Sequence, residues 1–412
     1  MTTLISNIKL LINAREENQL LRGKDLAKLP CIEDAFLIVE DDRIAQYGAM
    51  NDVKFRVADF TSHIDAERKM ILPAWCDSHT HLVFAGSREN EFVDKIKGLS
   101  YAEIAAKGGG ILNSAKKLNA AEEEDLYKQS YKKLQEVVSM GTGAIEIKSG
   151  YGLNVEGEIK MLRVIQKLKR NSKIPVKATF LGAHAIPPEY KENRKGYIDL
   201  IIDKMLPVIS SERLADYIDV FCEEGFFTPA ETVQICSAGK AAGLKPKIHA
   251  NQLSVSGGVE TGVSLGAVSV DHLESMDDAA INSLASSSTI GTLLPTAAFF
   301  LRMPYQPARA LIDNNCAISL ASDFNPGSSP SANMNFVVAL GCIQMKMLPE
   351  EAINAATING AFAMELQDEV GSITVGKKAN LIITKEIPSL AYLPYSFGSN
   401  LIDSVMVNGE IL

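Results

Sequence analysis

The sequence predicts an α/β protein: a TIM (β/α)8 barrel with a small β-sandwich lobe formed by both chain termini. From about residue 71 to 365, short apolar strands alternate with amphipathic helices, which is typical of βα units and a parallel sheet. The two ends of the chain instead contain short strand-like segments separated by turn residues. We therefore expect a lobe of residues 1–68 and 366–412 and a barrel of residues 69–365.

The lobe strands are recognised by their turns. Residues 35–39 and 43–47 are short strand-like segments, and acidic turn residues 40–42 separate them. Similar strand-like segments occur at 380–384 and at 404–407, and Asn408-Gly409 directly follows the second segment. Because Asn-Gly favours the tight turn of a two-residue hairpin, we expect a terminal hairpin there.

The barrel region contains eight candidate strands, and eight βα units in about 300 residues fit a TIM barrel better than an open sheet. The strands are expected to end near His81, Lys148, Gly182, Glu223, His249, His272, Leu293 and Ser322. Thr228-Pro229 followed by Glu231 predicts a capped helix start. Asn119 is expected to open another helix, which stops at Gly141.

Composition excludes several classes of protein. The 412 residues have a net charge of −9 and no Lys/Arg block, which argues against a nucleic-acid partner. No apolar stretch approaches the roughly 20 residues needed to cross a membrane, and the first residues lack the pattern of a secretory signal. The six cysteines are scattered, with no Cys-x-x-Cys pair, which predicts buried free thiols and a cytoplasmic protein.

The histidines are concentrated where a barrel places its active site. Of six histidines, only His63 lies in the N-terminal lobe. The other five fall at or just past predicted strand ends: His79, His81, His184, His249 and His272. The carboxyl ends of the strands form the catalytic face of a TIM barrel. A single histidine there would most often be structural, but five on different strands converge on one place.

Two of these histidines have the spacing of metal ligands. Side chains alternate along a strand, so His79 and His81 share a face and can hold one ion at about 2.1 Å. His249 ends another strand, and Asp323 follows the apolar run 317–322. Asp323 could simply cap a helix. A buried carboxylate needs a positive partner, however, and with the histidines counted we favour metal binding.

These residues resemble the amidohydrolase superfamily. The resemblance consists of His-x-His after the first strand, histidines ending the fifth and sixth, and an aspartate ending the eighth. Longer strings are similar to the imidazolonepropionase family within it, and they occur in order at 79–92, 146–153, 180–187 and 322–328. Two positions depart from the superfamily, Ala74 in place of a common glycine and Asn380 in place of a common aspartate. Both lie away from the expected ligands.

The resemblance implies a metal-dependent hydrolase that opens the cyclic amide of a small-molecule substrate, 4-imidazolone-5-propanoate. It implies that His79, His81, His249 and Asp323 bind one divalent or trivalent ion per chain, zinc or iron. Four protein ligands leave room for water only if the coordination number rises to five or more. The ion would lower the pKa of the water towards about 7, and Asp323 would act as the base. A homodimer is left open.

The resemblance also implies roles for the residues around the metal. His272 would stabilise the oxyanion, or else brace the site by hydrogen bonds. Arg88 would hold the propanoate bidentately. The remaining substrate contacts would come from Tyr151, His184, Gln252, Asn325, Gly327 and Ser328. Gln252 would hydrogen-bond the ring nitrogens, and the turn after Asp323 would offer backbone N–H groups to carboxylate oxygens.

Three other functions fit the sequence less well. Dihydroorotase- and hydantoinase-type enzymes use a modified lysine on the fourth strand, and 218–223 contains none. Ammonia-releasing enzymes need a carboxylic acid shortly after the fifth-strand histidine, where this chain has Asn251 and Gln252. A non-catalytic metal-binding barrel would be expected to lack a ligand or Arg88. The loop Lys107–Gly110 lacks the spacing of a phosphate loop and is expected to be a lid or a plain connection.

Overall fold

The computed structural model describes residues 1–53, 55–99, 103 and 109–412. Both ends of the chain form one mixed sheet of eight strands. The strands are β1 (Thr2–Ile12), β2 (Cys31–Glu40), β3 (Arg43–Ala49), β4 (Ser62–Asp65), β5 (Met70–Pro73), β14 (Leu381–Thr384), β15 (Ile402–Val407) and β16 (Glu410–Ile411). Their order in the sheet is β16-β15-β14-β5-β1-β2-β3, with β4 paired to β1. The expected terminal hairpin joins β15 to β16, and Asn408 and Gly409 at its turn have positive φ values of 50° and 79°.

A second sheet contains eight parallel strands and forms the barrel. Its strands are β6 (Trp75–Thr80), β7 (Thr142–Lys148), β8 (Val176–Ala183), β9 (Tyr217–Cys222), β10 (Lys245–Ala250), β11 (Ser269–His272), β12 (Ile290–Leu293) and β13 (Ile318–Leu320). Each ends within two residues of the expected position. The predicted fold class, a TIM barrel with a β lobe from both termini, is therefore confirmed.

The barrel closes just beyond β13. Asp323 N donates to His79 O at 3.0 Å, and His81 N donates to Phe324 O at 2.9 Å. The seam between the first and eighth strands thus consists of the residues that the sequence assigned to the metal. Its backbone hydrogen bonds fix how far Asp323 stands from the two histidines.

Helices connect the strands and cover the barrel. The α-helices span Glu89–Ile96, Ile111–Ala120, Glu123–Ser139, Val155–Asn171, Arg194–Leu200, Leu206–Glu212, Pro229–Ala241, Gly258–Leu265, Asp278–Ala285, Pro295–Leu301, Ala308–Asp313, Met334–Ile343, Pro349–Ala356, Ile358–Ala363 and Tyr392–Tyr395. A π-helical turn, Ile201–Met205, joins two of them, and short 3-10 turns lie at Gly23–Ala27, Met50–Asp52, Val57–Asp59 and Pro188–Tyr190. None of the described helices is both long and apolar enough to cross a membrane.

The helix-start signals had different outcomes. Thr228 caps Pro229–Ala241 and forms the expected capping box with Glu231. The expected start at Asn119 is wrong, because that residue lies inside Ile111–Ala120 and the next helix begins at Glu123. The side-chain amide of Asn119 donates to Gly152 O at 2.9 Å instead of capping a helix. The predicted stop at Gly141 is confirmed, with a φ of 98° two residues past Ser139.

The lobe and the barrel meet at the two positions that depart from the superfamily. Asn380 donates to Gly143 O at 3.0 Å and accepts from Asn408 N at 2.8 Å. A Cβ on Gly143 would lie 2.4 Å from the Cβ of Ala74, so the extra methyl of Ala74 relies on a glycine opposite it. Because β5 pairs within the lobe sheet, we propose moving the first boundary between lobe and barrel from residue 69 to about residue 74.

Two further expectations concern the six cysteines and the loop Lys107–Gly110. All six cysteines are free thiols, but Cys31 is exposed and Cys342 is partly exposed, so the expectation that all are buried is wrong. Lys107 and Gly108 lie outside the described residues, so the alternatives for that loop stay predictions.

Candidate active site

The five barrel histidines converge at the carboxyl end of the barrel. His79, His81 and His249 offer ring nitrogens that lie within 4.8 Å of one another. His79, His272 and Asp323 form a second group of the same size. Burial lowers the pKa of His79 and of His81 well below its ordinary value, so both rings are neutral and have a lone pair for a metal.

The buried nitrogens of this cluster test whether a metal fits. His79 Nε2 and His249 Nε2 are buried and have no hydrogen-bond partner among the described residues. Their Nδ1 atoms are bonded to carboxylates, at 2.7 Å to Asp271 and 2.9 Å to Asp219. A carboxylate on Nδ1 and an unpartnered Nε2 is the usual arrangement of a histidine that binds a metal. The residues present therefore fit a metal ion.

Asp323 completes the group from the closing seam. Its Oδ1 lies 3.5 Å from His79 Nε2 and 3.6 Å from His81 Nε2. Its Oδ2 accepts a hydrogen bond from Ser328 Oγ at 3.3 Å. Burial raises the pKa of Asp323 to about 6. A carboxylate with such a pKa can accept a proton near neutral pH.

His272 stands beside the group with a carboxylate that sequence reasoning missed. Its Nδ1 lies 3.5 Å from Glu274 Oε1, which also accepts from Gln306 Nε2 at 2.9 Å. Burial lowers the pKa of His272, but the carboxylates of Glu274, Asp323 and Asp271 together outweigh burial, and the pKa is raised above its ordinary value. His272 is therefore the site's best candidate for a charged donor.

A pocket of about 480 Å3 opens above these residues. Of the residues assigned to metal or substrate, all except His79 line it: His81, Arg88, Tyr151, His184, His249, Gln252, His272, Asp323, Asn325, Gly327 and Ser328. The His184 ring stacks on that of His81, with centroids 5.3 Å apart and planes 12° apart. The Tyr151 ring lies 5.7 Å from that of His81. The pocket has the size of a small-molecule site.

Arg88 is held at one side of the pocket by Glu91. Its Nε lies 2.8 Å and its Nη2 2.7 Å from Glu91 Oε2. Glu91 also accepts from Gly110 N and Asn113 Nδ2, both at 3.1 Å. The other amino group, Nη1, lies against Gly327, where a Cβ would approach to 2.1 Å. The guanidinium is therefore oriented before any ligand arrives.

The turn after Asp323 differs from expectation in one respect. The N–H groups of Gly327 and Ser328 both donate to Asn325 Oδ1 at 2.8 Å. These donors point to a side chain of the turn itself, so in this arrangement they are not free to cradle a carboxylate, and the expected cradle stays a prediction. The three residues still line the pocket, and Ser328 contacts Asp323.

Sequence reasoning missed several polar residues of the site. Lys95 also lines the pocket, and Glu274, Asp219 and Asp271 contact the histidines. Lys148 lies beneath them, 2.9 Å from Asp219. One signal was available, because Glu146-Ile147-Lys148 puts two charges on the inward face of an otherwise apolar strand.

Known proteins resemble this chain over its full length. A profile of the amidohydrolase family matches residues 228–412. The curated imidazolonepropionase of Flavobacterium johnsoniae is 58% identical, and that of Christiangramia forsetii is 56% identical, each alignment covering 100% of both chains. Among solved structures, a triazine hydrolase variant has a TM-score of 0.73 at 14% identity, over 100% of this chain and 94% of its own. A 5-methylcytosine deaminase from Klebsiella pneumoniae has a TM-score of 0.72 at 15% identity, over 98% and 97%.

Proposed function

The chain belongs to the imidazolonepropionase family of amidohydrolases, and from this membership we propose how its pocket performs the family's reaction. It is a hydrolase of carbon–nitrogen bonds in cyclic amides. Its reaction opens the ring of 4-imidazolone-5-propanoate to N-formimidoyl-L-glutamate in histidine degradation. The observation that supports this chemistry most directly is the convergence of His79, His81, His249 and Asp323, with two buried Nε2 atoms unpartnered.

We propose that these four residues hold one ion of zinc or iron. When bound, such an ion lowers the pKa of a water ligand towards about 7 and so supplies a nucleophile at neutral pH. Asp323 would accept the proton that the attacking water loses, because its Oδ1 lies beside the histidine nitrogens, 3.5 Å from His79 Nε2 and 3.6 Å from His81 Nε2. Asp323 then delivers that proton to the ring nitrogen as the carbon–nitrogen bond breaks.

The other residues bind the substrate and stabilise charge. Arg88 pairs with the propanoate carboxylate, because Glu91 already orients its guanidinium. His272 donates to the oxygen of the ring carbonyl as negative charge develops there, with Glu274 sustaining its proton. Gln252 also lines the pocket and would hydrogen-bond the ring nitrogens. Tyr151 and His184 form the wall against which the ring packs.

The part of the pocket beside the Asp323 carboxylate is lined by Asn325, Gly327 and Ser328. Ser328 orients Asp323 through Oδ2, and Gly327 leaves room for the guanidinium of Arg88. The substrate is a small molecule, in agreement with the pocket's volume. A homodimer and a cytoplasmic location stay predictions.

The test is the loss of the ultraviolet absorbance of 4-imidazolone-5-propanoate in the presence of metal-loaded protein. Asp323→Asn should reduce kcat by at least about a thousandfold, because it removes both a ligand and the base. Asp277→Asn is the matched control, since asparagine serves as well as aspartate at the N-cap that Asp277 forms. No loss of absorbance with the wild type, once its metal is confirmed, would contradict the proposed substrate.

A further inference from the structure

Five charged side chains lie inside the barrel directly beneath the metal-binding histidines. They are Glu146 and Lys148 of β7, Asp219 of β9, Lys247 of β10 and Asp271 of β11, and each is 0% exposed. We call them the buried charge cluster. Burying charge in an apolar core costs more free energy than pairing usually returns. Aliphatic residues could fill the barrel core without this cost, so stability alone does not explain why these side chains are charged.

Lys148 is the centre of the cluster. Its Nζ lies 2.7 Å from Glu146 Oε1, 2.9 Å from Asp219 Oδ2 and 3.3 Å from Asp271 Oδ2. The contacts with Glu146 and Asp219 are hydrogen bonds, and the contact with Asp271 is an ion pair. Glu146 is fixed in turn by Thr179 Oγ1 at 2.7 Å. The ammonium therefore has one position, set by three different strands.

The oxygens that Lys148 holds are also those that bond the histidines. Asp219 Oδ2 lies 2.9 Å from His249 Nδ1, and Asp271 Oδ2 lies 2.7 Å from His79 Nδ1. Asp219 Oδ1 further accepts from His249 N at 3.0 Å, and Asp271 Oδ1 accepts from Ser269 Oγ at 2.6 Å. One ammonium thus lies behind two imidazoles that come from strands on different sides of the barrel.

We propose that Lys148 is a positioning residue, which sets the orientation of His79 and His249 by holding Asp219 and Asp271 together. With both Nδ1 atoms bonded to these carboxylates, both Nε2 atoms point to the same place, where they lack a partner among the described residues. The three carboxylates outnumber the two ammonium groups by one, so the cluster also presents net negative charge to a cation. The inference rests on the proposed metal site.

The cluster contains its own control. Lys247 is equally buried, but it bonds Glu146 Oε2 and lies over the Tyr217 ring at 4.9 Å. It touches neither carboxylate that bonds a histidine. Lys148→Met and Lys247→Met therefore remove the same charge from the same cluster, and only the first releases Asp219 and Asp271. A purely structural role of buried charge would make the two variants alike.

The experiment loads each apoprotein with Co2+ and follows its visible absorption, which reports ligand geometry. Affinity is measured by competition with a chromophoric chelator. Lys148→Met should shift the Co2+ bands and weaken binding about 10- to 100-fold, as expected when the partners of ligands are disturbed. Lys247→Met should keep the wild-type bands and bind within about threefold of wild type.

Wild-type bands and affinity in Lys148→Met would overturn the inference, and so would equal changes in both variants. If Lys148→Met does not fold, Lys148→Arg replaces it, because a planar guanidinium keeps the buried charge but cannot meet the three oxygens in the same geometry. No substrate is involved. Wild-type protein that binds Co2+ normally but fails to open the ring would therefore refute the proposed reaction and leave this inference standing.

Discussion

Arg88 and Gly327 show how a single missing side chain can set substrate affinity. A Cβ at residue 327 would lie 2.1 Å from Nη1 of Arg88, and the guanidinium is the flexible partner, so it would have to move. A charge-assisted hydrogen bond contributes about 1.5–3 kcal/mol. Gly327→Ala should therefore raise KM about 10- to 100-fold with a smaller change in kcat, as measured by steady-state kinetics.

The matched control for this substitution is Gly398→Ala, since a Cβ there meets nothing within 4 Å. It should leave KM and kcat at their wild-type values. An unchanged KM in Gly327→Ala would show that Arg88 does not bind the substrate from the position it occupies.

His184 predicts how acid affects the metal-free protein. Burial lowers its pKa from 6.5 to about 3, so between these values the unfolded chain binds a proton that the folded chain excludes. The free energy of unfolding therefore decreases as the pH falls through this window. At pH 5 this one residue should account for about 2 kcal/mol of that decrease.

Urea unfolding of the apoprotein at pH 7 and pH 5 measures this effect. His184→Asn should lose about 2 kcal/mol less than wild type between the two values. Tyr151→Phe alters the same wall of the pocket without removing a group that titrates in this range, so it should lose as much as wild type. Equal losses in wild type and His184→Asn would show that His184 can be protonated in the folded state.

At the scale of single residues, the sequence indicated the candidate metal ligands but not the residues that contact them. His79 and His81 could be predicted because residues two apart on a strand share a face, and Asp323 because it follows an apolar run. Lys148 and Asp219 are 71 residues apart, and no local pattern connects them. Their pairing depends on the order of strands around the barrel, which only the structure provides.

Among the elements, the helix Val155–Asn171 supports the loop that contains Tyr151. Its Glu158 is 0% exposed and accepts from Gly152 N at 2.7 Å, Leu153 N at 3.0 Å and Gly150 N at 3.1 Å. In Glu158→Gln the new amide N–H2 would face one of these donors. The substitution should cost about 1–3 kcal/mol of unfolding free energy.

The same change should raise KM several-fold, because the loop presents Tyr151 to the pocket. Glu156→Gln is the control on this helix, since Glu156 is exposed, and it should stay within about 0.5 kcal/mol of wild type. Wild-type stability and KM in Glu158→Gln would mean that the loop keeps its shape without the carboxylate.

Strands were predicted more accurately than helix starts, for a physical reason. The strands β8, β9 and β10 end just before His184, Glu223 and Asn251, so for these strands the sequence records the change from apolar to polar residues directly. The predicted start at Asn119 was wrong because asparagine can bond a distant backbone as readily as a helix end. Its amide reaches Gly152 O across 33 residues. Thr228, in contrast, had its partner Glu231 within the local sequence.

For the whole molecule, the barrel could be predicted from the number of βα units, but the residues that pair across its closing seam could not. Pairing of the first and last strands through His79 and Asp323 joins residues more than 240 apart in the chain. The lobe shows the same limit, because β5 and β14 pair across more than 300 residues. The sequence indicates which segments are strands, and long-range pairing is settled by packing.

Because the proposed metal site includes residues on both sides of this seam, a bound ion should stabilise the entire barrel. Ligands from β6, β10 and the end of β13 come together only in the folded chain, so a bound ion favours that state. At an ion concentration about 1,000 times Kd the gain is about 4 kcal/mol. Removing the ion with a chelator should lower Tm by about 5 °C or more, and adding zinc back should restore it.

Two variants make this result specific. His63→Gln lies in β4 of the lobe, away from the site, and should keep the full change in Tm. The double variant His79→Ala, His81→Ala has no site to empty, so a chelator should not change its Tm. An unchanged wild-type Tm, with loss of the ion confirmed by elemental analysis, would show that the barrel closes without help from the metal. In that case the hydrogen bonds across the seam itself, including those from Ser322 N and Oγ to the buried Asp77, would be sufficient to hold the first and last strands in register.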